Sequence, residues 1–211
     1  SNSHKTINNI LERTIEVMNE DDVDGFIARI DKREDDLYAD ERIRQFNSIG
    51  KAQLEEDDKI VAGVAWAFVD KKLIDYLDYL IIDEAGQVSL ANLIGMSRSC
   101  KNLIFLGDQM QLSQPSKGIH PNNSGVSCLD YLLGESPTVP SDKGMLLPDT
   151  YRMNSGICEF ISTRVYEGKL ASKEIANKRK LHIDDSFLGK NSGIAYFPLS
   201  HFGNEQSSPE E

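Results

Sequence analysis

At 211 residues the chain is long enough for one domain, or one and part of another, with a sizeable apolar interior. Its net charge of −11 speaks against a free-standing nucleic-acid binder, whose electrostatic footprint is basic. No apolar run suits a bilayer and no basic-then-apolar leader opens the chain, so a cytoplasmic protein without membrane partners is expected. Cys100, Cys128 and Cys158 are odd in number and unpaired in spacing, and His4, His120, His182 and His201 are scattered, so neither set reads as a disulfide framework or a zinc site.

Ile7, Ile10, Leu11, Ile15 and Met18 recur at helical spacing behind Ser3, a suitable N-cap, and predict an amphipathic helix over 4–18. Residues 19–58 follow with fourteen acidic and six basic side chains. Their apolar residues (Phe26, Ile27, Ile30; Ile43, Phe46) fall in helical patches, so this segment is expected to be a peripheral helical insertion. Three short apolar runs then read as strands: 59–69, 79–83 and 102–108. "QVSLANLIGMSRSC" between the last two reads as a helix. Residues 109–125 are loop-like, 153–166 predict a helix, 193–199 another strand, and the last nine residues a frayed end. Buried strands alternating with helices indicate an α/β fold with a parallel sheet. Residues 164–180 are locally basic and read as a solvated face.

In an open parallel sheet, ligands collect beyond the carboxyl ends of the strands. "DYLIIDEAGQ" ends one strand on Asp83-Glu84, and "NLIFLGDQMQL" ends the next on Gly107-Asp108, followed by Gln111 and Gln114. Acids so placed suit a magnesium–phosphate site. The first can hold the ion and the second can orient or deprotonate water, while a glutamine can bond a γ-phosphate oxygen.

"YLIIDEAGQ", "LIFLGDQMQLSQP" and "LLPDTYRMNSGICEFISTRVYEGKL", in this order and spacing, resemble motifs II, III and IV of superfamily 1 helicases. The likeness is to the subgroup of the nonsense-mediated-decay RNA helicase and of bacterial helicases fused to a RecB-like nuclease. The opening "SNSHKTINNIL" is similar to motif Ia, which touches single-stranded nucleic acid, here through Ser3 and His4. The resemblance implies a RecA-like P-loop NTPase sheet, with 1–147 as the back half of a first RecA-like domain and 148–211 as the start of a second. It implies ATP and Mg²⁺ as substrate complex, single-stranded DNA or RNA as partner, and leaves open an appended nuclease domain. By the same resemblance Asp83 holds magnesium, Glu84 is the base, Gln111 senses the γ-phosphate with Asp108 beside it, Tyr151 stacks on adenine and Arg152 is the arginine finger.

The chain also departs from the pattern. Asn154 and Ser155 stand where His-Pro is usual, Gln109 replaces a proline, and Val64 occupies a position expected to carry a hydroxyl near the nucleic-acid backbone. No G-x-x-x-x-G-K-[ST] occurs, so the expectation is a piece that starts within motif Ia and is inactive alone. Two readings from other classes use the same residues: an interaction module with 19–58 as partner site, and a metal-dependent phosphohydrolase built on Asp83, Glu84 and Asp108.

Overall fold

The computed structural model describes residues 4–31, 39–112, 118, 121–180, 192–194, 196 and 198. The chain divides into two compact units, Ser1–Glu135 and Ser136–Glu211.

In the first unit α1 (His4–Glu20) forms as its periodicity predicts. It buries Ile7, Leu11, Ile15 and Met18, spaced four, four and three residues apart on one stripe. That stripe packs on Ile27, with Ile43, Ile60, Ala62 and Val64 alongside. These partners belong to a sheet of three parallel strands, β1 (Phe26–Ile30), β2 (Ile43–Phe46) and β3 (Asp58–Gly63), in the order β2-β1-β3.

The expected helical insertion at 19–58 is therefore corrected: it supplies two strands, and β1 lies at the centre of its sheet. Ile27, Ala28, Arg29 and Ile30 are all buried, so the strand shows no in–out alternation. A short, fully buried strand cannot be told from a helical patch by periodicity. Arg29 adds to the disguise, because a charged residue inside an apolar run looks exposed. It is fully buried and held from two sides. Its Nη1 donates to Asn8 Oδ1 on α1 (2.6 Å), and its Nη2 pairs with Asp31 at 3.3 Å. Part of the acidic charge is likewise structural. Arg44 on β2 lies over the Phe26 ring, 3.9 Å from its centroid, and makes a bidentate pair with Asp57 at 2.9 and 3.0 Å.

The strand expected over 59–69 stops at Gly63. A Cβ there would lie 3.1 Å from the Ile30 carbonyl oxygen, and the chain turns at once into a 3-10 segment, Ala65–Val69. β4 (Leu77–Ile82) and β5 (Cys100–Phe105) then pair in parallel, joined by α2 (Leu90–Ser97). Ser89 caps α2 by accepting from the Asn92 N–H. A single apolar cluster runs from Ile30 through Phe68, Leu73, Leu80, Ile82 and Leu93 to Met96 and Cys128. The last helix of the unit is α3 (Cys128–Leu133), which sequence patterning did not single out.

In the second unit β6 (Asp149–Thr150) and β7 (Ala171–Ser172) pair in parallel, with α4 (Ser155–Val165) between them where a helix was expected. The strand expected at 193–199 lies partly outside the described residues, and none is assigned to those described; the C-terminal nine residues lie wholly outside. No helix among the described residues is long and apolar enough to cross a membrane. The fold is the expected α/β arrangement of parallel strands and helices.

Replacing Ile27 with Ala is expected to destabilise the chain by about 2–5 kcal/mol in urea denaturation, as for other fully buried aliphatic truncations. A change below about 0.5 kcal/mol, typical of surface positions, would return 19–58 to the periphery.

Candidate active site

The carboxyl ends of β4 and β5 continue their ladder beyond the last strand residues. The Leu106 N–H donates to the Ile82 carbonyl, and the Ala85 N–H to the Leu106 carbonyl, both at 2.9 Å. At this level the two chains approach so closely that neither tolerates a side chain. A Cβ on Gly107 would stand 2.7 Å from the Ala85 nitrogen and 3.2 Å from that of Gly86. A Cβ on Gly86 would collide with the Asp108 carbonyl. Two glycines set back to back thus bring the turn after β4 against the turn after β5.

The acids sit on these turns. Asp83 is half-buried just past β4 and Glu84 is exposed. Glu84 adopts the left-handed conformation (φ 55°, ψ 44°), a strained state for a non-glycine residue that costs roughly 1–3 kcal/mol and concentrates at functional sites. The strain turns the chain sharply into a 3-10 segment, Ala85–Gln87, secured by the Gln87 N–H donating to the Glu84 carbonyl at 2.8 Å. Across the glycine contact, Asp108 Oδ1 accepts from the Met110 N–H (2.9 Å) and Oδ2 from Gln111 Nε2 (3.2 Å). Gln111 is therefore held beside Asp108, on the turn that faces the Glu84 turn. The structure brings Asp83, Glu84, Asp108 and Gln111 to one end of the β4–β5 pair.

Cys128 supports this end from below, a role its isolation in the sequence gave no signal of. Its Sγ donates to the Ala85 carbonyl at 3.0 Å, and its N–H to the Val88 carbonyl at 2.8 Å. Burial pushes the thiol up to about 11, so it stays protonated and able to donate. The Leu90 N–H to Val126 carbonyl bond (2.8 Å) and the Ser89–Ser127 bridge fasten the same turn to the start of α3.

Among the described residues no group of three or more His, Cys, Asp or Glu is arranged to hold a metal ion. Magnesium bound with nucleotide needs no such cage, since one or two carboxylates and the substrate phosphates complete its octahedron. Asp83 at a strand end fits that arrangement. A phosphohydrolase relying on protein ligands alone would need more donors than these residues supply.

Tyr151 and Arg152 belong to the second unit, just past the carboxyl end of β6. Both are exposed. Thr150 Oγ1 accepts from the backbone N–H of Arg152 (3.2 Å) and of Met153 (3.4 Å), and the Arg152 carbonyl accepts from Arg179 Nη1 at 3.3 Å. The turn is thereby fixed through backbone, leaving the two side chains outward. Asn154 and Ser155, the departures from His-Pro, have a local reason. Asn154 Oδ1 caps α4 by accepting from the Ile157 N–H (3.2 Å), and the Ser155 N–H donates to Asn177 Oδ1 at 2.7 Å. Val64 packs with the α1 cluster in place of presenting a hydroxyl. His4 opens α1, and Ser3 lies outside the described residues.

Residues 1–114 match the AAA_11 family, described as an AAA domain. The chain belongs to this family, a superfamily 1 helicase-type domain with a RecA-like α/β fold. The match takes in Asp83, Glu84, Asp108 and Gln111 and stops before Tyr151 and Arg152. The chain is also 31% identical over 150 residues to the DNA replication ATP-dependent helicase/nuclease dna2 of Schizosaccharomyces pombe, covering 66% of this chain and 10% of that protein. It is 29% identical over 182 residues to the 3'-5' exoribonuclease HELZ2 of Mus musculus, covering 82% of this chain and 6% of that protein. With the DNA replication ATP-dependent helicase/nuclease JHS1 of Arabidopsis thaliana it shares 31% identity over 124 residues, 56% of this chain and 9% of that protein. The chain thus spans a tenth or less of the length of these curated relatives.

Gly86→Ala forces a methyl group into the Asp108 backbone. The expected cost is about 1–3 kcal/mol in chemical denaturation, with amide resonances of both the 84–87 and 107–110 turns displaced. Shifts confined to 84–87 would show that the two turns are not in contact.

Proposed function

We propose that this chain carries the hydrolytic carboxylates of an ATP-dependent helicase that moves along single-stranded DNA or RNA. The observation behind this reading is the glycine-to-glycine contact that sets Asp83 and Glu84 against Asp108 and Gln111. The family match and the printed names of the two helicase/nuclease relatives support it.

Phosphoryl transfer needs positioning and charge neutralisation more than covalent help. Asp83 would hold the magnesium that arrives with ATP, and that ion would neutralise charge on the phosphates. Glu84, exposed beside it, would orient water and take its proton. Gln111, kept in place by Asp108, would bond a γ-phosphate oxygen. From the second RecA-like unit Tyr151 would stack on adenine, and Arg152 would offset charge on the transferred phosphoryl group. Ser3 and His4 would meet the nucleic-acid strand at the start of α1. A partner-binding module built on 19–58 has less support, because β1 is the central strand of its sheet.

These 211 residues contain no G-x-x-x-x-G-K-[ST], so backbone donors and a lysine for the β- and γ-phosphates would have to come from elsewhere. A phosphate-release assay with Mg²⁺, ATP and single-stranded oligonucleotide is accordingly expected to show no turnover from this chain alone. In a longer polypeptide that supplies such a loop, Glu84→Gln should retain nucleotide binding while turnover falls about 10²–10⁴-fold, the usual contribution of a general base. Hydrolysis by the isolated chain that disappears in Asp83→Ala, or near-normal turnover of Glu84→Gln, would overturn the assignment.

A further inference from the structure

Both backbone polar groups of Arg152 are taken by side chains. Its N–H donates to Thr150 Oγ1 at 3.2 Å, and its carbonyl accepts from Arg179 Nη1 at 3.3 Å. One anchor lies on β6, and the other stands 27 residues further along, past β7. With N–H and carbonyl both held, the direction in which the Arg152 side chain leaves the backbone is set, and only its own rotamers remain free. Arg179 is itself well founded. It follows the 3-10 segment Glu174–Lys178, its N–H donates to the Ala176 carbonyl at 3.1 Å, and Ala176 is fully buried.

The basic stretch 164–180 divides in two. Lys169 and Lys173 are neutralised within the unit, by Glu167 at 2.6 Å and by Asp149 at 2.7 Å. Arg152 and Arg179 are both exposed, and among the described residues neither has an acidic partner. Arg179 thus meets the Arg152 turn through a carbonyl, and repulsion between the two like charges disfavours Arg152 folding back over it. We infer that Arg179 is a positioning residue for Arg152: its hydrogen bond to the Arg152 carbonyl fixes where the Arg152 guanidinium meets the transferred phosphoryl group. The inference deepens the hydrolytic reading above and rests on the role given there to Arg152. A guanidinium that offsets developing charge works only from a fixed position, and a displacement of about 1 Å costs about 10²-fold in rate.

Phosphate release by the longer polypeptide that supplies the phosphate loop, with Mg²⁺, ATP and single-stranded oligonucleotide, provides the test. Arg179→Gln should lower kcat about 10- to 100-fold, the order of such a displacement. KM for ATP should stay unchanged, the signature of an interaction made only in the transition state. Arg179→Lys should recover most of the loss, since a lysine can bond a carbonyl in the same way, as Lys72 does with those of Gly50 and Ala52. Lys178→Gln removes the same charge one exposed residue earlier and should leave kcat as it is. In the 211-residue chain Arg179→Gln should melt as the parent does, because the lost bond is at the surface. Normal kcat in Arg179→Gln beside an impaired Arg152→Gln would overturn the positioning role and leave the Arg152 assignment standing. A loss in Lys178→Gln equal to that in Arg179→Gln would overturn it too, by showing that charge alone matters. If Arg152→Gln itself turns over normally, the Arg152 assignment fails and the inference with it.

Discussion

Two glycines facing each other across the ends of β4 and β5 set the geometry on which the rest of the site depends. With any side chain at Gly86 or Gly107, the Ala85 N–H could not keep its 2.9 Å bond to the Leu106 carbonyl, and the turns would part. The contact has a chemical consequence. It places a half-buried and an exposed carboxylate on one turn and a carboxylate–amide pair, Asp108 and Gln111, on the other. Phosphate chemistry needs polar groups from separate segments held at fixed distances, because positioning supplies much of the rate.

The stiffness of this end comes from below it. Leu80 and Ile82 anchor β4 in the main cluster, and Cys128 from that cluster donates its thiol proton to the Ala85 carbonyl. The strained backbone at Glu84 persists because both flanks of its turn are fastened in this way. The second unit follows the same plan on a smaller scale. A two-residue parallel strand ends at Thr150, whose hydroxyl accepts from the backbone N–H groups two and three residues on, those of Arg152 and Met153, and the functional candidates project from the turn that results.

What the sequence disclosed follows from the physics of each segment. α1 was legible because one face of a helix on a sheet repeats every three to four residues. The acids at 83 and 84 were legible because a Leu/Ile run that stops on two charges can bury the run and expose the charges only at a strand end. β1 was not, since Phe26, Ile27 and Ile30 match a helix turn as well as a strand. Arg29 moreover looks like a surface residue until Asn8 and Asp31 are seen around it. The 3-10 segment Ala65–Val69 was absorbed into a strand expected to run to residue 69, because nothing local announces that Gly63 must approach the Ile30 carbonyl. Contacts made across the fold, such as Gly86 with Gly107 or Cys128 with Ala85, leave no periodic trace along the chain.

The central claim is that divalent metal and phosphate are handled at the carboxyl ends of β4 and β5, and not by the denser acidic group at Glu55, Asp57 and Asp58. That group is already engaged with Arg44 at 2.9 to 3.4 Å. Paramagnetic broadening of backbone amide signals during titration of the isotope-labelled chain with Mn²⁺ and ATP tests this most directly, since it registers weak sites as well as strong ones. Signals of Asp83 to Gly86 and of Gly107 to Gln111 are predicted to broaden together and first. Broadening that begins at residues 55–58 and leaves both strand ends sharp would contradict the account.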